Sequence, residues 1–178
     1  ERTFWSFLNT SPKSIKGWLK SMPAWVKYKF FLPQLIRNKL SYNGKIFQNL
    51  HHRSHAASAF FPSPFKRSAI LTIDGVGEWA TASIGQGDSN KIQILKEMNY
   101  PNSLGLLYSA FTKFTGFKVN SGEYKMMGLA PYGTPIFYEI ILKKLIDLKE
   151  DGSIKINQEY FSYQSGSEMV NEKFSKLF

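Results

Sequence analysis

All three histidines of the 178-residue chain fall within five positions, in the stretch LHHRSHAASAFF from Leu50 to Phe61. Such a cluster can hold a metal ion, move protons, or simply start a helix with polar side chains. On a helix, His51 and His55 lie one turn apart and share a face. Two imidazoles at that spacing can reach one cation, as in other HxxxH pairs. His52 points about 100° away and does not join them. Two histidines are an incomplete site, and a third ligand, usually a carboxylate, has to come from elsewhere. The plain alternative is a polar helix start with hydrogen-bonded rings.

Two further stretches carry residue types suited to chemistry. In LTIDGVGEWATASIG, Leu71 to Gly85, Asp74 ends an apolar strand pattern, where ligands meet the mouth of a sheet. Gly75 and Gly77 let the backbone approach an anion and turn N–H groups toward it. Glu78 follows, and Thr81 and Ser83 supply hydroxyls. An ordinary Asp-Gly hairpin turn explains the same letters. In VNSGEYKMMGLAPYG, Val119 to Gly133, Ser121 and Gly122 would open a helix whose first N–H groups suit phosphate. Glu123 could accept from a ribose or base, and Lys125 could neutralise a phosphate. Here a capped amphipathic helix with Met126, Met127 and Leu129 in the core is the simpler account.

The elements that must position these groups follow from periodicity. SHAASAFF continues the histidine stretch as helix. SAILTIDG reads as a buried strand, EWATASIG as its hairpin partner and KIQILKEM as a third strand. KIFQNL is a short strand candidate after the Asn43-Gly44 turn. SLGLLYSAFTKFTGF predicts a helix of about four turns. SGEYKMMGLAPYG predicts a second, capped by Ser121 and ended near Gly128 and Pro131, and PIFYEIILKKLIDL a third. EDGSIKI predicts a turn and short strand, and the tail from Asn157 shows no clear pattern. Upstream, the first forty residues read as two helices, one opened by Ser11 as cap and Pro12, the other broken or kinked at Pro33. Consecutive strands followed by helices predict a mixed α/β or α+β fold. The division is a helical basic and aromatic arm, 1–44, and a mixed domain, 45–178.

Composition narrows the function. Apolar content of 43% suits a globular protein. No apolar run reaches the ~18 residues of a membrane helix, so no membrane role is expected. The absence of cysteine excludes disulfides and thiolate metal sites. With no secretory signal at Glu1, the cytoplasm is the expected compartment. The net charge of +10 is uneven, with no acidic residue between Glu1 and Asp74. Lys13, Lys16, Lys20, Lys27, Lys29, Arg37, Lys39, Lys45, Arg53, Lys66 and Arg67 lie in that interval. Such a bias can serve nucleic acid, an acidic partner or a phosphorylated ligand. The aromatics among those lysines (Trp5, Phe7, Trp18, Trp25, Tyr28, Phe30, Phe31) can stack bases, but at helical spacing a packing face is the favoured expectation. A basic nucleic-acid-binding module is the alternative function, and residues 68–133 do nothing to require it.

Taken in order, HHRSHAASAFFPSPF, AILTIDGVGEWATASIG and NSLGLLYSAFTKFTGFKVNSGEYKMMGLAPYG resemble the O-carbamoyltransferases of nodulation-factor and antibiotic tailoring over residues 45 to 133. The resemblance implies part of an actin-like ATPase (ribonuclease H-like) domain, similar to the tRNA threonylcarbamoyl-transfer ATPase. In the family a second domain forms adenylates. The implied reaction takes carbamoyl phosphate and ATP to a carbamoyl-adenylate, then passes the carbamoyl group to a hydroxyl of a sugar or other small acceptor. It implies Fe2+ or a similar divalent cation on His51 and His55, completed by a distant Asp, with ATP and Mg2+ as further requirements. His52 matches a neighbour that is not a ligand. Asp74 matches the acidic residue at the heart of the active site, able to orient or deprotonate the acceptor. Gly75 and Gly77 match a phosphate-binding hairpin, while Ser103, Gly105, Gly122, Glu123 and Lys125 match segments near the adenylate. Family members are several times longer, so the chain is expected to be an internal piece. The remainder of the parent protein is then a partner, and the third metal ligand is expected outside residues 134 to 178.

Overall fold

Alternation of inward and outward side chains organises the sheet that carries the site. The computed structural model describes residues 2–165 and 168–178, so Glu1 and two residues of the unassigned tail, Gly166 and Ser167, lie outside the described residues. The chain divides into two compact units. One comprises residues up to Asn49 with a short piece that begins at Gln164; the other comprises Leu50–Tyr163 and Glu168–Phe178.

The first unit contains α1 (Arg2–Asn9), α2 (Ile15–Ala24), a π-helical stretch (Trp25–Phe30) and α3 (Leu32–Leu40). Three helices therefore replace the two expected. Ser11 and Pro12 do not open a helix: α2 begins after Ser14, whose buried hydroxyl donates to the Phe7 carbonyl at 2.7 Å. Pro33 occupies the first turn of α3, where its missing N–H costs nothing, so it starts a helix and does not kink one. The expected aromatic packing face is formed only in part. Trp5, Tyr28, Phe30 and Phe31 are exposed, whereas Phe7, Trp18 and Trp25 are partly buried.

The second unit begins with α4 (His51–Phe60), followed by β1 (Arg67–Ile73), β2 (Ala80–Asp88) and β3 (Lys91–Asn99), an antiparallel sheet in the order β1-β2-β3. KIFQNL forms no strand. β1 alternates instead of being buried throughout, with Ile70 and Thr72 buried and Leu71 and Ile73 exposed. One face of α4 presents His52, Ala56 and Phe60, spaced four residues apart and all buried, as a helix lying on a sheet requires. Ala56, Phe60 and Ile70 form a small core with Ile92 and Ile94 against it. Gly87 is required there: a Cβ would stand 2.5–2.6 Å from the Phe60 ring.

α5 (Leu104–Phe114), α6 (Glu123–Leu129), the single turn α7 (Tyr138–Ile140), β4 (Ile146–Leu148), β5 (Ile154–Ile156) and α8 (Glu172–Ser175) complete the unit. Their larger core joins Leu107, Ala110, Leu145, Ile154, Ile156, Phe161 and Phe174. α5 has three turns and ends before Gly116, whose φ of +87° takes the chain out of the helix. The expected third helix is only partly helical: a π-helical stretch (Ile141–Leu145) follows α7, and Ile146 enters β4, paired antiparallel with β5. The mixed α/β class expected from the sequence is observed. No helix of the described residues is long and apolar enough to cross a membrane.

Candidate metal centre

Strand period and helix period bring three potential ligand atoms together. On β1, residues 70, 72 and 74 share a face, so Asp74, just past the strand, is turned toward α4. His51 and His55 project from the first turns of α4 beside the buried 52-56-60 stripe. His51 Nε2 lies 2.6 Å from Asp74 Oδ2 and 2.9 Å from His55 Nε2, and His55 Nε2 is 3.6 Å from the same carboxylate oxygen. Ligands each about 2.1 Å from one ion lie no more than about 4.2 Å apart, and all three separations satisfy that limit. Two imidazole nitrogens and a carboxylate oxygen facing one another need something between them, either the N–H hydrogens of the rings or a cation. Two histidines and one carboxylate on one side of an ion form the set that suits non-haem Fe(II), with other positions open. All three residues are at least partly exposed, so a ligand can enter.

The surroundings hold this arrangement. Asp74 Oδ1 accepts from the Gly75 N–H at 2.6 Å. Partial burial works against the charged carboxylate, but the Gly75 N–H, the His51 hydrogen bond and the charges of His51 and His55 outweigh it and hold its pKa below the ordinary value. Glu78 Oε2 accepts from the His51 backbone N–H at 3.0 Å, capping α4 from the β1–β2 turn. Its pKa is lowered too: burial opposes the charge, and the His51 N–H, its own N–H and the histidine charges prevail. The start of α4 is thus already capped by a carboxylate. Gly77 passes so close that a Cβ would lie 3.0–3.2 Å from His51 and His52 side-chain atoms.

The other sequence candidates are placed differently. The Gly75 and Gly77 N–H groups are both engaged, with Asp74 Oδ1 and with the Ala80 carbonyl at 2.9 Å. Ser103 is fully buried. Its Oγ accepts from the Leu106 N–H at 3.0 Å and faces the Gly75 carbonyl at 2.6 Å and the Asp74 carbonyl at 3.1 Å. A Cβ on Gly105 would strike the Asp74 carbonyl group and the Gly75 nitrogen. Ser103 and Gly105 therefore seat α5 against the segment that carries Asp74. Gly122, not Ser121, precedes α6 as its cap. Glu123 turns back to accept from the Asn120 and Gly122 N–H groups and the Ser109 hydroxyl. Lys125 is exposed. These last three belong to a second locus, described by its own contacts. Sequence reasoning missed Asp74 as a companion of the histidines, Glu78 as the cap of α4, and Thr72 as a buried polar group. The inward register 70-72-74 was the available signal.

Comparison with known proteins decides the family. Residues 2–178 match the family model described as Carbamoyltransferase N-terminus. The chain belongs to that family. It is 48% identical to protein sll1178 of Synechocystis over 186 residues, covering all of this chain and 30% of that protein. It is 41% identical to the nodulation protein NolNO of Sinorhizobium fredii over 60% of this chain and 15% of NolNO. It is 36% identical to the nodulation protein NolO of Bradyrhizobium diazoefficiens over 60% of this chain and 19% of NolO. The chain thus spans less than a third of the length of the curated relatives it matches.

Proposed function

We propose that the chain supplies the cation-binding part of an O-carbamoyltransferase. The observation that carries this is the convergence of His51, His55 and Asp74 in a chain matched almost end to end by a carbamoyltransferase family. The protein would act in the cytoplasm within an actin-like ATPase domain, on carbamoyl phosphate and ATP, through a carbamoyl-adenylate. The acceptor would be a hydroxyl of a sugar-like or other small molecule. Its oxygen forms the new bond to the carbamoyl carbon as the bond to AMP breaks, and its proton passes to a base.

His51, His55 and Asp74 would hold Fe2+ or a similar divalent ion. Such an ion supplies positive charge that polarises phosphate or carbonyl oxygens. Asp74 Oδ2 faces the two rings and Oδ1 is held by Gly75, which favours a holding role over that of a free base. It orients an acceptor only as part of that set. Glu78 and Gly77 fix the start of α4, and Ser103 and Gly105 fix the backbone of Asp74. Gly122, Glu123 and Lys125 would serve the nucleotide through the exposed Lys125, with Glu123 shaping the loop. The test uses the longest polypeptide encoded by the reading frame, supplied with Fe2+, ATP, Mg2+ and carbamoyl phosphate. Transfer of labelled carbamoyl to a hydroxylated acceptor, lost in His51→Ala, is expected. No transfer to any acceptor across a broad panel contradicts the proposal.

A further inference from the structure

His52 is the histidine that faces away from the cation position, and it is only 2% exposed. Its ring bridges α4 to two strands. Nδ1 lies 2.6 Å from Thr72 Oγ1 on β1, and Thr72 Oγ1 lies 2.6 Å from Ser83 Oγ on β2. All three side chains are buried. Nε2 is shielded from solvent and has no hydrogen bond of ordinary geometry. Either member of each pair can supply the hydrogen, and the two bonds join α4 to β1 and β1 to β2 whichever way the hydrogens run.

A stripe of apolar residues would bind α4 to the sheet without this chain of polar groups, as Ala56 and Phe60 already do. Apolar contact is non-directional, whereas short buried hydrogen bonds specify one orientation. Orientation matters here because His51 and His55 flank His52 on the same turns. Rotating a helix about 5–6 Å in radius by about 20° moves atoms at its rim by about 2 Å. That is as long as a metal–ligand bond.

We propose that His52, strapped through Thr72 to Ser83, is a positioning residue that sets how α4 presents His51 and His55 to a divalent cation. No atom of the strap touches the cation, yet the strap governs its affinity. The inference rests on the cation-binding reading above.

Co2+ titration followed by its visible absorption bands tests it, on the wild-type chain, Thr72→Val, Thr72→Ser and Ser83→Ala. Each is measured well below its unfolding temperature, determined without metal. Thr72→Val keeps the shape and removes the hydroxyl. It is expected to weaken Co2+ binding about tenfold, the low end of what losing a ligand's own hydrogen-bond partner costs, and to alter the band intensities. Thr72→Ser restores both, and Ser83→Ala gives a smaller loss. A change in stability alone would leave the spectrum of the folded protein unchanged. Wild-type affinity and spectrum in Thr72→Val overturn the strap while leaving the cation reading intact. If Thr72→Val does not fold, Ser83→Ala decides: weakened binding supports the strap, and unchanged binding overturns it. A wild-type chain that takes up no Co2+ overturns the cation reading and the strap together.

Discussion

The start of α4 and the starts of α5 and α6 are built from similar residue types, yet they use them in opposite ways. At α5 and α6 the polar groups are consumed locally. Ser103 is buried under the Asp74 and Gly75 carbonyls, and Glu123 accepts from two backbone N–H groups and Ser109. At α4, the exposed nitrogens of His51 and His55 and one oxygen of Asp74 face mainly each other. Groups that find their partners in the backbone hold the fold. Groups that converge on one another, with backbone partners holding them from behind, are available to a ligand.

The sharpest way to break this contrast is to remove one histidine. His51→Ala or His55→Ala should lower Co2+ affinity by about a hundredfold or more, since a directly bound ligand is lost. Glu123→Gln should leave it unchanged, as isothermal titration would show. Equal losses from the two loci would erase the distinction.

Next in size is Gly105→Ala, whose Cβ meets the Asp74 carbonyl group. Forcing that contact should cost about 2–3 kcal/mol in chemical denaturation. Ser103→Ala removes a cap and a hydroxyl donor and should cost about 1–2 kcal/mol.

The smallest effect concerns Glu123. Burial opposes its charge, but the Asn120 and Gly122 N–H groups, its own N–H and the Ser109 hydroxyl hold its folded pKa below the ordinary value. A depressed folded pKa means that the contribution is complete above the unfolded value, about 4.3, and disappears as pH falls through the folded value. The stability difference between wild type and Glu123→Gln should therefore be about 0.5 kcal/mol at pH 7 and shrink toward zero in acid. A difference that grew on acidification would contradict the assignment.

Much of this was legible in the sequence where one period dominates. The helix at His51–Phe60, the hairpin around Asp74 and the third strand follow from spacing and turn residues. His51 and His55 as a pair, with His52 apart, follow from helical geometry. Elements governed by competing signals were not legible. Ile140, Ile141 and Ile146 suit a strand as well as a helix, and pairing with Ile154–Ile156 took Ile146 into β4. Ser14, not Ser11, precedes α2 because its hydroxyl is fixed on Phe7. A carboxylate beside the two histidines was not legible either: it is Asp74, 23 residues downstream of His51. Strand and helix must first be packed together before that proximity exists, and the packing depends on Phe60 lying over Gly87.

That proximity is best tested by Asp74→Asn, which keeps the size of the side chain and removes its charge. Equilibrium dialysis of the chain against Co2+ should give one ion per wild-type molecule, with affinity reduced at least tenfold in Asp74→Asn. Undiminished binding in the variant, or no binding in the wild type, would contradict a cation centre built from His51, His55 and Asp74.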